Sequence, residues 1–143
     1  MIEVKNKKAY FDYSILEEIE AGIALTGTEI KSVRKGSVDL KDTFVTIKNN
    51  EAYLLNMYIA KYEEGNIFNH EERRTRKLLL HKKEIKKIKE QIKQDGYTII
   101  PLKLYFKKNK VKILIGICKG KKLYDKREAL KEKDLKREAR YYN

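Results

Sequence analysis

The sequence predicts a mainly β domain, an antiparallel barrel with inserted helices, followed by a basic tail. Three observations predict this class. Apolar residues alternate in several stretches of strand length, turn-forming residues separate those stretches, and residues 119–143 are rich in charge and poor in apolar side chains. A length of 143 residues suits one domain. We therefore expect the barrel in residues 1–118 and the tail in residues 119–143.

The first long strand is predicted from Tyr13 to Leu25, where alternate positions are apolar with one exception, Glu17. We expect it to kink at Gly22, because a glycine inside a strand pattern commonly marks a bulge or a barrel corner. The same run also fits a short helix through Ile15 to Ile19, and this alternative stays open at the level of sequence.

A helix of two turns is predicted next, between Thr26 and Gly36. Thr26 or Thr28 can cap its first turn, Ile30 and Val33 give it an apolar side, and glycine commonly ends helices.

Two hairpins are predicted from paired strand patterns around turn residues. Asn49-Asn50 suits a turn with positive φ, and Lys107 to Lys110 joins the second pair. Pro101, which is the only proline, should lie at an edge or a bulge because it cannot donate to a strand ladder. The paired segments are Thr43–Lys48 with Glu51–Ile59, and Tyr97–Phe106 with Val111–Cys118.

Between the hairpins we expect a loop over Lys61–Arg76 and then a helix over His81–Gln94. Ile85, Ile88 and Ile92 form a narrow apolar stripe on an otherwise charged helix that ends at Asp95-Gly96. The total is five or six antiparallel strands. A closed or partly open barrel would remove their exposed edges, and the five-stranded Greek-key barrel is a common solution that also binds oligonucleotides.

Charge is distributed unevenly along the chain. The formal net charge is +13, yet residues 1–72 carry 9 Lys/Arg against 13 Asp/Glu, and residues 73–93 carry 10 against 2. A Lys-rich proteome would raise lysine everywhere and does not explain the acidic first half. Clustered cations of this kind indicate a protein that neutralises the phosphates of a nucleic acid.

Other classes of function find little support in the composition. One cysteine, Cys118, excludes an internal disulfide framework and a four-cysteine zinc site, and two histidines leave little material for another metal site. Cys118 lies in an apolar strand pattern, so we interpret it as a small core residue and not as a nucleophile. We expect no cofactor, no metal and no catalytic residues. We also expect a cytoplasmic location, because no apolar run approaches the length of a membrane span and no apolar run of signal-peptide length follows the first residues.

The tail has good helix formers from Asp125 onward, but Leu123, Leu130 and Leu135 do not form a continuous face. An isolated helix of this length is marginal in water. We expect the tail to be disordered when free and helical when bound. A solvated charged extension without a partner is the alternative.

Five stretches together resemble the SsrA-binding protein family, also called small protein B. They are Asn6–Ala9, Glu20–Ile23, Thr26–Arg34, Arg74–Ile85 and Gly120–Arg127, and the resemblance runs in order along essentially the whole chain. It implies an oligonucleotide-binding-fold (OB-fold) barrel that binds the tRNA-like domain of transfer-messenger RNA (tmRNA) and brings that RNA to stalled ribosomes for trans-translation. It also implies elongation factor Tu with aminoacylated tmRNA as a partner.

The resemblance further implies site residues. The acidic RNA-contacting residue of the family falls on Glu29, which can only accept hydrogen bonds and would therefore meet a base or a 2′-hydroxyl rather than phosphate. Read alone, Glu29 is a carboxylate favourable to a helix N-terminus, and His81 is an ordinary residue at a helix start. The expected RNA-binding residues are Lys7, Lys8, Glu29, Lys31, Arg34, Arg74, Arg76, Lys77, Leu79, His81 and Lys82.

For the tail, the resemblance implies ribosome contacts in the vacant mRNA channel near the decoding centre. A basic segment that orders on arrival can enter a channel lined by RNA phosphates. The expected ribosome-binding residues are Gly120, Lys121, Lys122, Asp125, Lys126 and Arg127. The alternative function is a structural ribosomal or translation-factor protein that uses the same barrel and tail to stabilise ribosomal RNA.

Overall fold

A computed structural model describes residues 3–63, 69–94 and 96–121. The expected tail contacts Lys122, Asp125, Lys126 and Arg127, together with the expected disorder-to-helix change, lie outside the described residues. No helix in these three ranges is long and apolar enough to cross a membrane.

The described residues form three helices and nine strands, where five or six strands were expected. The strands are β1 Glu3–Lys5, β2 Tyr13–Ile23, β3 Val38–Asp39, β4 Phe44–Lys48, β5 Glu51–Leu55, β6 Tyr58–Ile59, β7 Arg76–Leu79, β8 Tyr97–Lys107 and β9 Lys110–Gly120. The helices are α1 Lys7–Asp12, α2 Gly27–Arg34 and α3 Lys82–Ile92.

Seven strands make one antiparallel sheet in the order β1-β8-β9-β2-β7-β5-β4, and β3 pairs with β6 separately. β4, at one end of this order, also packs against β8 near the other end, so the sheet curls around its core. The predicted class, mainly β with an antiparallel sheet and inserted helices, is confirmed.

The core lies inside this curled sheet. Ile113, Ile115 and Ile117 of β9 are almost completely buried at alternate positions, as a strand with one inward face requires. Ile88 of α3 is fully buried and belongs to the same core, and α3 packs against β4 and β8. The apolar stripe of α3 thus covers the region where the two ends of the sheet approach each other.

β2 is a strand, as predicted, but its irregularity is not at Gly22. The register with β9 shifts between Ile15 and Glu17, so the bulge lies at Leu16. Gly22 instead marks the place where β2 pairs with Leu79 on one side and with Lys112 on the other.

Both predicted hairpins form, and positive φ angles shape their turns. Asn49 and Asn50 have φ of 52° and 59°, and Lys108 and Asn109 have φ of 51° and 64°. Positive φ at both central residues matches the twist of the flanking strands. The expected strand Glu51–Ile59 is wrong in one respect, because Asn56 with φ of 70° divides it into β5 and β6.

The N-terminal elements β1 and α1 were not predicted. Both depend on Asn6, whose side chain accepts from the Ala9 N–H (3.2 Å) and donates to the Pro101 carbonyl (2.9 Å). Pro101 itself stands beside a register shift that ends at Lys103, as its missing N–H predicted.

Candidate nucleic-acid interface

Helix α2 begins with a reciprocal cap that fixes Glu29. The Thr26 hydroxyl accepts from the Glu29 N–H (3.4 Å), and Glu29 Oε1 accepts from the Thr26 N–H (2.9 Å). Such a capping box satisfies two of the N–H groups that a helix start leaves without partners. Glu29 is therefore held at the first turn of α2 by its own helix.

Two arginines bind the same carboxylate. Arg74 Nη2 lies 2.6 Å from Glu29 Oε1, and Arg76 Nε donates to Glu29 Oε2. Arg76 also donates to the carbonyl oxygens of Met57 (2.6 Å) and Glu72 (3.1 Å). Because the side chains of Glu29 and Arg76 are 0% exposed, they form a buried ion pair, and the other two nitrogen atoms of Arg76 each donate to a backbone carbonyl.

Glu29 remains ionised in this setting. Burial opposes its charge, but the hydrogen bonds from Arg74, from the Thr26 N–H and from Arg76 outweigh burial, so the pKa of the Glu29 carboxyl lies below its ordinary value. The cluster of Glu29, Arg74 and Arg76 is thus a charged junction that connects α2 to the end of β2 and to β7.

His70 adds a second connection to α2. Its Nε2 lies 2.9 Å from the Ile59 carbonyl oxygen and must donate to it, so the Nδ1 of a neutral ring accepts from the Thr28 hydroxyl at 2.9 Å. Forty-two residues separate Thr28 from His70. Sequence reasoning did not place either residue in the site, and no local signal could have joined them.

The burial of Glu29 and Arg76 changes the roles we assign to them. A residue can touch RNA only through an exposed atom, and neither side chain has one in this structure. Arg76 was expected to bind RNA, but in this structure its three nitrogen atoms donate to Glu29, Met57 and Glu72. Arg74, with 37% of its side chain exposed, is the member of the cluster that faces solvent.

Leu79 is the last residue of β7 and is 55% exposed. Its partner across the ladder is Gly22, and a Cβ built on Gly22 would lie 3.1 Å from the Leu79 Cβ. Glycine at position 22 therefore leaves the space in which Leu79 lies. Lys112 pairs with Gly22 from the other side, which makes it a cation of this surface that the sequence did not single out.

Three other expected residues, Lys77, His81 and Lys82, are close to Leu79 in the sequence. Lys77 is exposed on β7 and lies 3.6 Å from Glu51, while His81 caps α3 and Lys82 begins it. On α2, Lys31 lies over the Tyr62 ring and Arg34 over the Phe106 ring, at 5.4 and 5.7 Å from the ring centres. We call Arg74, Lys77, Leu79, His81 and Lys112, which are all exposed or partly exposed, the Leu79 surface.

Lys7 and Lys8 do not belong to the Leu79 surface. They lie on α1, which adjoins the start of β2, whereas the Leu79 surface lies at the end of β2. Nine residues of strand separate Tyr13 from Gly22, a distance of about 30 Å. The expected RNA-binding residues thus divide between two ends of the sheet.

The last described residues, Gly120 and Lys121, lie beside α1. Gly120 pairs with Tyr13, and Lys121 donates from its N–H to the Asp12 carbonyl (2.9 Å) and from its Nζ to the Tyr10 carbonyl (3.3 Å). Gly120 is consequently part of β9, and the barrel continues past the expected boundary at residue 118. The last described residue, Lys121, thus lies near the start of β2, whereas the Leu79 surface lies at the end of β2.

Cys118 is fully buried, and burial raises the pKa of its thiol to about 11. It is the core residue that the strand pattern predicted, and its thiol stays protonated at neutral pH. Within the described ranges, no group of three or more His, Cys, Asp or Glu residues is arranged to hold a metal ion.

Comparisons with known proteins identify relatives along nearly the whole chain. A family profile described as "SmpB protein" matches residues 3–142. An SsrA-binding protein of Staphylococcus epidermidis is 61% identical over 134 residues, which cover 94% of this chain and 86% of the relative. An SsrA-binding protein of Staphylococcus aureus is 60% identical and covers 94% and 87%.

A solved structure is also similar. It is described as "tmRNA-SmpB: a journey to the center of the bacterial ribosome" and superposes with a TM-score of 0.73 at 46% identity. The match covers 90% of this chain and 94% of the solved chain.

Proposed function

Because the chain belongs to the SmpB protein family, we propose that it binds the tRNA-like domain of tmRNA and delivers that RNA to stalled ribosomes. It acts as an adaptor without catalysis of its own. The observation that carries the proposal is the Leu79 surface, where an exposed leucine shares a depression with Lys77, His81 and Lys112. Relatives named as SsrA-binding proteins and a solved tmRNA-SmpB assembly support the choice of RNA.

In this proposal the residues of the Leu79 surface divide the work. Lys77 and Lys112 contact phosphates, which position an RNA without reading its sequence. Leu79 packs against a splayed base or a sugar, and Arg74 donates to acceptors of the RNA. Glu29 and Arg76 are positioning residues, because they hold Arg74 and the start of α2 without exposing an atom themselves.

The tail completes the proposal. It leaves the barrel near Gly120, about 30 Å of strand from the Leu79 surface, so one end of the domain can hold tmRNA while the other faces the ribosome. We place the tail in the empty mRNA channel near the decoding centre, with its cations against RNA phosphates. Elongation factor Tu with aminoacylated tmRNA is the further partner that we propose.

Copurification of RNA from bacterial cells, followed by sequencing, tests the proposal. We expect tmRNA to be enriched with the protein both free and on ribosomes. Ribosomal RNA in fixed proportion to every ribosomal subunit, without tmRNA, would contradict it and would favour a structural ribosomal protein.

A matched pair of leucine variants connects this result to the site. Leu79→Ala should weaken binding of the tRNA-like domain by about tenfold or more, since burying a leucine contributes about 1.5–3 kcal/mol. Leu16→Ala is the control, because Leu16 is 56% exposed but lies at the bulge of β2 away from the Leu79 surface. Equal effects of the two changes would show that the Leu79 surface is not the RNA site.

A further inference from the structure

The groove between α3 and the β4–β5 turn carries charge that the Leu79 surface does not use. We propose that this groove is a second RNA contact that binds the sugar-phosphate backbone without reading sequence. The inference rests on the proposed function for its RNA, but it assigns new residues, Lys86 and Lys89 with Asn49 and Asn50. The groove has a volume of about 620 Å³.

The lysines of the groove lie on one face of α3. Lys82, Lys86 and Lys89 stand four and three residues apart, which is the spacing of neighbours along a helix surface. The turn residues Asn49 and Asn50 form the opposite side, and all five residues are exposed. The groove is therefore open to a ligand along the length of the helix.

These cations are available to a polyanion. In the three described ranges, no carboxylate lies within ion-pair distance of Lys82 or Lys86, and Lys89 Nζ contacts only the Asn50 side-chain oxygen, at 3.1 Å. Glu51 also lines the groove, but it lies 3.6 Å from Lys77. The groove lysines therefore have positive charge that no carboxylate of the described chain neutralises. This excess charge favours binding of a phosphate backbone.

Lys87 shows that the lysines of α3 do not all have this role. It lies on the side of the helix that faces β2, and its Nζ donates to Glu17. α3 thus has one lysine whose charge is matched within the barrel and a row of three whose charge is not.

The dimensions of the row fit a nucleic-acid strand. From Lys82 to Lys89 the helix rises about 10 Å, and one strand of a duplex advances about 3.4 Å for each phosphate, so three lysines span about three phosphates. The asparagine side chains can bond to phosphate oxygens or 2′-hydroxyls. No aromatic side chain lines the described groove, which is why we assign backbone contact and not base stacking.

The groove also continues the Leu79 surface. Leu80 lines the groove and a depression that includes Leu79 and His81, so the two surfaces adjoin at the start of α3. A single folded RNA can therefore contact Leu79 and the lysines of α3 at the same time.

The test compares two double variants of the full chain with the same net charge. Lys86→Gln/Lys89→Gln removes two groove cations, and Lys83→Gln/Lys93→Gln removes two exposed cations that do not line the groove. Lys and Gln have similar helix propensities, so both variants should fold, and thermal unfolding checks this. Affinity is measured for the tRNA-like domain and for an unrelated RNA hairpin between 50 and 200 mM salt.

We expect the groove variant alone to lose about 1.4–1.8 from the slope of log affinity against log salt, which is about 0.7–0.9 for each lost phosphate contact. Raising the salt over this range should then weaken the unaltered protein by about tenfold more than the groove variant. The loss should be the same for both RNAs, because backbone contacts carry no sequence preference.

Equal slopes for the two double variants would overturn the inference, and so would a loss confined to the tRNA-like domain. An acidic protein segment as the occupant would leave both RNA slopes unchanged and would overturn it in the same way. Failure of the unaltered protein to prefer the tRNA-like domain would contradict the proposed function instead, since the groove effect is read on both RNAs.

Discussion

At the scale of single residues, Glu29 contributes both to the stability of the barrel and to the geometry of the proposed RNA site. The carboxylate caps α2, holds exposed Arg74 and neutralises buried Arg76. A buried ion pair is weak evidence of net stabilisation, yet removal of one partner is costly because the other charge remains buried. In the proposed function Glu29 therefore affects RNA binding through Arg74, and its loss should first lower the stability of the fold.

Glu29→Gln should lower the free energy of unfolding at neutral pH by about 3–5 kcal/mol, because Arg76 would keep an unmatched buried charge. The pKa of Glu29 is lower in the folded chain than its ordinary value of 4.5, so the folded state binds fewer protons and its advantage is complete above that value. As pH falls from about 4.5 through the lower folded pKa, the unaltered protein should lose this advantage and approach the variant. Urea unfolding between pH 7 and pH 3 measures both curves.

A difference in unfolding free energy between the two proteins that stayed constant from pH 7 to pH 3 would contradict this account. So would a strong loss of RNA binding by Glu29→Gln with an unchanged free energy of unfolding, because Glu29 would then contact RNA directly.

Gly22 has a smaller and more local effect. In Gly22→Ala the new Cβ would lie 3.1 Å from the Leu79 Cβ, so Leu79 must shift by a few tenths of an ångström. We expect a several-fold loss of affinity for the tRNA-like domain with a change in unfolding free energy below about 1 kcal/mol. Titration with labelled RNA measures the loss.

Gly27→Ala is the control for this glycine, since nothing lies within 4 Å of its built Cβ. Gly27 begins α2, so alanine there should leave RNA affinity unchanged and should not lower stability. If Gly22→Ala bound RNA as tightly as Gly27→Ala, the position of Leu79 would not matter for binding.

At the scale of elements, α3 shows what keeps a lysine-rich helix in place. Its sequence gives strong propensity but only three apolar residues, and the structure buries two of them. Ile88 is 0% exposed and Ile92 is 38% exposed. The packing of α3 against the barrel therefore depends mainly on Ile85 and Ile88. The shape of the groove depends on this packing as well.

Ile88→Ala should lower the free energy of unfolding by about 2–5 kcal/mol, since it removes a fully buried side chain and leaves a cavity. Ile92→Ala on the same helix should change it by about 0.5 kcal/mol or less. Chemical denaturation of both variants checks the difference. Similar costs at the two positions would mean that the whole stripe is packed and that α3 sits differently on the barrel.

The success of sequence reasoning also differs by element. Hairpins and the cap of α2 were predictable because their signals are local, such as Asn49-Asn50 for positive φ and Thr26 followed by Glu29 for a capping box. β1 and α1 were missed because neither has a periodic pattern. They exist through pairing with β8 and through the bonds of Asn6 to a carbonyl 95 residues away.

In the candidate site too, some features could be predicted from the sequence and others depended on the fold. Exposed Arg74, Lys77 and Leu79 could be named from the family resemblance, but the burial of Glu29 could not be foreseen, because its two arginines are 45 and 47 residues distant. Gly22 was noticed for a kink and turned out to matter for space beside Leu79. Contacts made only in the folded chain leave no mark in a local window of sequence.

At the scale of the whole molecule, the proposed RNA site and the proposed ribosome-binding tail are separated along strand β2. The Leu79 surface lies at the end of β2, and the tail leaves β9 beside the start of β2, so about 30 Å of paired strand stands between them. In the proposed function, the barrel holds one RNA while the tail enters the ribosome. Removal of the tail should consequently leave RNA binding at the Leu79 surface intact, and loss of the Leu79 surface should leave the tail intact.

The most direct measurement of this separation is peptide tagging on stalled ribosomes by a chain that ends at Lys121. This end point keeps β9 and the bond from the Lys121 N–H to Asp12. The account predicts that the shortened protein binds the tRNA-like domain with affinity close to that of the full chain but supports no tagging. Tagging at the full rate by the shortened protein, or loss of RNA binding together with tagging, would contradict it.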